Sequence, residues 1–249
     1  MKKLIVILLF VLVACDREDA WDIVKTRGEH AVEERTLPPF HTITIHNGIH
    51  VALTHGDRYS ATIEGWKNLM PKIRLMVDHD GELVIDDVNN FNFVRSRDNM
   101  TTVRLTIPNE LYQINFSGNG DIVSKDTIFT SGLSVISTGS GRIDLTVKAQ
   151  GVYIGTNHRN TASVAIRGQG YSVGITNWGF GPVDVSSFKA SHAHVVQHGA
   201  GSSYIYASES IHVTLNSGAG DVFYTGNPSS KEITHGDKAQ GNLRKMDSN

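Results

Sequence analysis

The sequence predicts an all-β chain: a β-solenoid of parallel β-helix-like coils, about 20 residues each, preceded by β-hairpins. Three observations carry this prediction. The first is a recurring corner. Ser117-Gly118-Asn119-Gly120-Asp121-Ile122 returns as Thr138-Gly139-Ser140-Gly141-Arg142-Ile143, as His198-Gly199-Ala200-Gly201-Ser202 and as Ser217-Gly218-Ala219-Gly220-Asp221-Val222. Trp178-Gly179-Phe180-Gly181-Pro182-Val183 is a degraded copy. With Ala162 in the place of one missing glycine, the second glycine positions step by 21, 21, 19, 20 and 19 residues. A fixed period of this size marks units that cannot bury their own apolar faces and must stack. The second observation is short apolar alternation between corners, as in Ile143/Leu145/Val147 and Ile211/Val213/Leu215. The third is composition. Glycine (24) far outnumbers proline (6), and 39% hydrophobic with 19% charged residues supplies a core.

The chain opens with Lys2-Lys3 and an apolar run from Leu4 to Val13, too short to span a bilayer and suited to a signal segment. It ends at Leu12-Val13-Ala14-Cys15, which resembles the lipobox of bacterial lipoproteins. The resemblance implies cleavage before Cys15, the chain's one cysteine, and acylation of that residue. Several acyl chains anchor a protein stably, at roughly 0.8 kcal/mol per buried methylene. Residues 1–14 are read as the signal peptide and 15–35 as anchor and tether. The expected location is the cell envelope, lipid-anchored to the outer membrane, facing the periplasm or the outside. Removing residues 1–14 takes away two lysines and no acid, leaving 21 basic against 25 acidic residues. With a formal charge of −2 for the whole chain, no basic face argues for nucleic acid.

Between residues 36 and 112 the pattern is that of hairpins. Phe40 to His46 alternates, Asn47-Gly48 turns, and Ile49 to Leu53 alternates again. Glu64 to Pro71 reads as a turn or one helical turn. Ile73–Val77 and Leu83–Ile85 flank Asp80-Gly81 as a second hairpin. Residues 86–100 read as a loop that Phe91 and Phe93 tuck in, and Val103–Ile107 is a strand stopped by Pro108. The repeats then run from about 113 to 226. Their glycines (Gly118 and Gly120, Gly139 and Gly141, Gly179 and Gly181, Gly199 and Gly201, Gly218 and Gly220) are read as structural corners needing positive φ or close packing. Six coils at about 4.8 Å make a rod roughly 29 Å long. Residues 227–249 are expected to be a cap around Ile233 and a flexible tail.

Asn47-Gly48-Ile49-His50-Val51, then Glu64-Gly65 with Asn68 to Ile73, then Val103–Pro108 leading into the first corner resemble the head GIN domain family. The resemblance spans about residues 37–226. It implies a β-helical head domain of autotransporter-adhesin type, secreted or lipid-anchored, with no established activity. The sequence departs from it at Asn157–Asn160, where a repeat lacks its Gly-x-Gly, and at Pro182.

Few residues suggest chemistry. Asp121 and Asp221 follow Gly-x-Gly, but calcium β-rolls repeat every nine residues, not twenty. There is no phosphate loop and no nucleophile elbow, and His46 and His50 lack a third ligand. Neither a metal nor a cofactor is expected. Stacking the repeats puts Arg159, Trp178 and His198 in one column, with His158, Asn177 and Gln197 beside them. An aromatic face flanked by amides and a guanidinium suits a sugar or another planar polar ligand. The expected function is a non-enzymatic, adhesin-like binding module for a glycan or a surface protein. The alternatives are a polysaccharide-lyase-like β-helix or a purely structural envelope protein.

Overall fold

From residue 101 onward the chain passes back and forth between two sheets once per coil, and this closes the solenoid. The computed structural model describes residues 28–89, 100–108 and 111–246. The expected signal peptide, Cys15 and the loop phenylalanines Phe91 and Phe93 lie outside the described residues. The chain enters through β1 (His30–Thr36), then makes a first coil from β2 (Thr42–Ile45) and β3 (Ile49–His55). β4 (Ser60–Trp66), a 3-10 turn at Met70–Lys72, β5 (Ile73–Val77), β6 (Glu82–Asp87) and β7 (Thr101–Ile107) follow.

Six coils come next. They are β8 (Gln113–Phe116) with β9 (Asp121–Ser124) and β10 (Ile128–Phe129), β11 (Gly132–Ser137) with β12 (Arg142–Lys148), and β13 (Gly151–Thr156) with β14 (Ser163–Gln169). Then come β15 (Ser172–Asn177) with β16 (Val183–Asp184) and β17 (Phe188–Lys189), β18 (His192–Gln197) with β19 (Ser203–Tyr206), and β20 (Ser210–Gly218) with β21 (Val222–Thr225). β22 (Ser230–Ala239) and β23 (Leu243–Lys245) follow them.

One sheet runs β1-β4-β7-β3-β9-β12-β14-β16-β19-β21-β23, and the other runs β22-β20-β18-β15-β13-β11-β8-β2-β6-β5. The pairs are parallel from coil to coil and antiparallel at β1/β4, β4/β7 and β5/β6. The strands of the stacked coils show one face to the interior, so apolar residues form columns. Val103, Val51, Ile122, Ile143, Val164 and Val183 line one sheet. Leu83, Ile43, Ile114, Val135, Ile154 and Ile175 line the other. All of these are buried, and each contributes roughly 1.5–3 kcal/mol by leaving water.

The chain does not stack in sequence order. β6 and β7 lie on the outer side of the first coil, while β8 and β9 lie on its inner side. Phe40 to Leu53 is therefore not a hairpin. Asn47 has the positive φ its turn chemistry suggests, 59°, but the turn carries the chain from one sheet to the other. β2 pairs with β6 and β8, and β3 with β7 and β9. The second expected hairpin does form, between β5 and β6 with Gly81 at φ 72°.

Two assignments at the domain ends change as well. Residues 30–36, of which 30–35 are expected in the tether, pair along their whole length with β4. Their side chains are mostly exposed, so the backbone ladder holds them and no hydrophobic alternation betrays them. Residues 230–245, expected as cap and tail, pair with β20 and β21 and add one more layer to the stack. Among the described residues no helix is long and apolar enough to cross a membrane.

Candidate functional site

The recurring glycines line the edge where each coil turns from one sheet to the other. Strand register puts Gly120, Gly141, Ala162, Gly181, Gly201 and Gly220 in one column. Their backbone reason is close packing rather than positive φ. Of the ten corner glycines only Gly218 has positive φ, 76°. A Cβ added at Gly139 or Gly141 would overlap a carbonyl oxygen of the coil beneath, that of Gly118 or Gly120. Close backbone approach excludes a side chain here, not left-handed geometry.

Just inside this edge runs a ladder of buried polar groups. The register aligns Phe116, Ser137, Thr156, Asn177, Gln197 and Leu215. Asn177 and Gln197, expected on an exposed strip, are fully buried. Asn177 Nδ2 and Gln197 Nε2 donate to the Gly201 carbonyl at 2.9 and 2.8 Å. The Thr156 hydroxyl donates to Asn177 Oδ1 at 2.7 Å, and the Ser203 hydroxyl donates to Gln197 Oε1 at 2.9 Å. The corner's turned-in carbonyls need donors, and these amides supply them.

His158 is displaced for a different reason. Ser137 to Gly141 is four steps, while Thr156 to Ala162 is six. The longer corner gives Thr156 the ladder position and leaves His158 exposed. Likewise, Gln197 to Gly201 is four steps while Leu215 to Gly220 is five, which puts Leu215, not Asn216, in the column.

The outer face keeps part of the expected strip. The Trp178 and His198 rings stack at 3.6 Å between centroids and 4° between planes. Trp178 is 47% exposed, and Phe180, on the same corner, is 65% exposed. Asn216 Nδ2 donates to His198 Nδ1 at 3.2 Å. Burial holds the His198 pKa below the usual imidazole value. Arg159 is exposed and has no ion-pair partner among the described residues. It borders a shallow groove of about 290 Å³ with Asn47, Ser117, Asn119, Thr138 and Ser140. The sequence reading missed Phe180, whose signal was an aromatic between two corner glycines.

The acidic corner residues are engaged by the next coil. Asp121 Oδ1 accepts the Arg142 N–H at 3.1 Å and Asp221 Oδ1 accepts the Asn242 N–H at 2.7 Å. Arg244 Nε lies 2.8 Å from Asp221 Oδ2. His46 meets Ser117 Oγ at 2.7 Å, and His50 Nδ1 accepts the Asp121 N–H at 3.0 Å. Among the described residues no three His, Cys, Asp or Glu side chains gather as metal ligands would.

The family described as "Putative auto-transporter adhesin, head GIN domain" matches residues 39–228. The chain belongs to the head GIN domain family. Solved structures share this head GIN fold. A putative adhesin from Bacteroides fragilis NCTC 9343 is 19% identical, with TM-score 0.76 over 88% of this chain and 97% of its own. One from Parabacteroides merdae ATCC 43184 is 14% identical, with TM-score 0.65 over 88% and 97%. A putative lipid binding protein from Parabacteroides distasonis ATCC 8503 is 16% identical, with TM-score 0.59 over 88% and 98%. At these identities the likeness shows the fold alone. No curated protein matches the chain.

Proposed function

We propose that this head GIN protein is a lipid-anchored envelope protein whose solenoid is a non-catalytic, adhesin-like binding module. Its contact is the corner patch of Trp178, His198 and Phe180, with Arg159 and His158 on the neighbouring coil. The observation that carries this reading is the parallel stack of the exposed Trp178 ring on the half-buried His198 ring. Two flat rings in van der Waals contact present a preformed plate, and a sugar ring that lies on such a plate orders few rotors. Family membership supports the adhesin class. The lipobox-like run before Cys15 supports the anchor.

A single aromatic contact is worth roughly 1 kcal/mol, so one site binds weakly and adhesion depends on many anchored copies acting together. The test is a glycan array with clustered protein, comparing wild type with Trp178→Ala at matched melting temperature. Loss of binding without loss of stability is expected. Equal binding by both proteins, or none by either, removes the patch as a glycan contact. Cys15→Ser is expected to move the protein from the membrane to the soluble fraction. A mutant that stays with membranes after a high-salt wash sinks the anchor.

A further inference from the structure

The opposite edge of the solenoid, where each coil returns from one sheet to the other, carries a cleft of about 1050 Å³. The strand register explains why it opens. β9 pairs with β3 only over Val51, Ala52 and Leu53. The same coil then detaches and rejoins the stack at β10, which pairs with Val147 and Lys148 of β12. The last backbone bond between the first and second coils is from the Lys125 N–H to the Leu53 carbonyl, and beyond it the two coils part.

The floor of this gap is apolar, with Leu53, Ile107, Leu111 and Phe40 all buried beneath it. Two aromatic side chains stand at its mouth, Tyr112 at 46% and Phe129 at 57% exposure. Elsewhere the inward columns are filled coil upon coil. A concave apolar space of this size, with a few polar groups at the rim, has the character of a small-ligand site.

The rim decides the ligand's chemistry. Among the described residues, Asp126 and Lys148 are the charged side chains there, with His41 and His55 beside them. The Asp126 carboxylate accepts the His55 backbone N–H at 3.2 Å. Lys148 has no ion-pair partner among the described residues, so its ammonium is the cation at the mouth that an acid group can meet. An apolar floor offers nothing to the hydroxyls of a sugar, but it accepts a hydrocarbon chain without leaving polar groups unpaired.

We propose that this cleft binds a single-chain anionic amphiphile, with its hydrocarbon on the Leu53–Ile107–Leu111 floor and its acid group at Lys148. The site is separate from the Trp178 patch, and each can fail without the other.

The experiment uses the chain from residue 15 onward with Cys15→Ser, titrated calorimetrically with laurate below its micelle concentration. Native mass spectrometry gives the stoichiometry. Monolaurin and dodecyltrimethylammonium are the neutral and cationic comparisons. Saturable one-to-one binding of laurate is expected, with weaker monolaurin and no dodecyltrimethylammonium. Lys148→Gln should weaken laurate about tenfold and leave monolaurin unchanged, while Phe129→Ala should weaken both. Absence of saturable laurate binding, or equal affinity for the cationic amphiphile, overturns the proposal with no variant needed. So does laurate affinity that neither substitution alters. Binding only to phosphatidylglycerol vesicles, with none to free laurate, overturns it in favour of a membrane-surface contact.

Discussion

A corner glycine is specified by a residue one coil away, so its substitution reports on the stack and not on local backbone preference. Gly141→Ala would press a methyl group into the Gly120 carbonyl and is expected to cost about 1–3 kcal/mol or more, as overpacking does. Gly132→Ala is the control. Its added Cβ would meet nothing closer than the Gly151 carbonyl oxygen at 3.8 Å, so its effect should stay within about 0.5 kcal/mol. Urea denaturation of both variants checks the pair, and equal losses would disprove the close-approach account. His198 gives a second residue-scale expectation. Burial lowers its pKa, so the folded state favours the neutral ring. That stability is present above the usual imidazole value and is lost as pH falls through the lowered folded value. Between about pH 7.5 and about pH 5 the melting temperature of wild type should therefore fall further than that of His198→Gln. Parallel pH curves for the two proteins would refute this.

At the scale of elements, each coil needs two things from its corner: a backbone thin enough to stack, and donors for the carbonyls that turn inward. Glycines meet the first need, and the Thr156–Asn177–Gln197 ladder meets the second. Asn177→Ala removes an acceptor from the Thr156 hydroxyl and the Gly179 N–H and a donor from the Gly201 carbonyl. Gln197 still reaches that carbonyl, so the expected loss is about 1–3 kcal/mol. Asn177→Asp should cost more, because it sets a buried carboxylate against the same carbonyl. If Asp proved as stable as Ala, the ladder would be wetter than its burial implies. The alternation of Ile143, Leu145 and Val147 is plain in the sequence because one strand contains it. The ladder is not, because its members sit about twenty residues apart and a two-residue lengthening at Asn157–Arg159 breaks their spacing.

Across the whole molecule, contacts run almost entirely between neighbouring coils, so stability is close to a sum of layers and interfaces. The two ends are unlike. β1, β4 and β5 cross the first end antiparallel, while β22 ends the other with nearly every side chain exposed, Ile233 included. Opening should therefore start at β22 and β23. Hydrogen exchange is expected to be fastest there and slowest in the central strands β13 and β15. Uniform exchange along the rod would show one cooperative unit instead.

What the sequence determined alone is the period, the column of second glycines through Ala162, and the inward apolar set. Constant coil length aligns these residues automatically, whatever else the chain does. The tertiary structure decided three other things. Asn47-Gly48 became a corner and not a hairpin turn, because both neighbours of β2 and β3 come from chain far downstream. Asn177 and Gln197 turned inward while Trp178 and His198 stayed outside, because strand phase follows the register of the coils above and below. The cleft beside Lys148 exists because one coil parts from its neighbour after Lys125 and rejoins the stack at Ile128. A strand's own residues set its alternation, but only the partner edges it finds set its pairing, its register and the gaps it leaves.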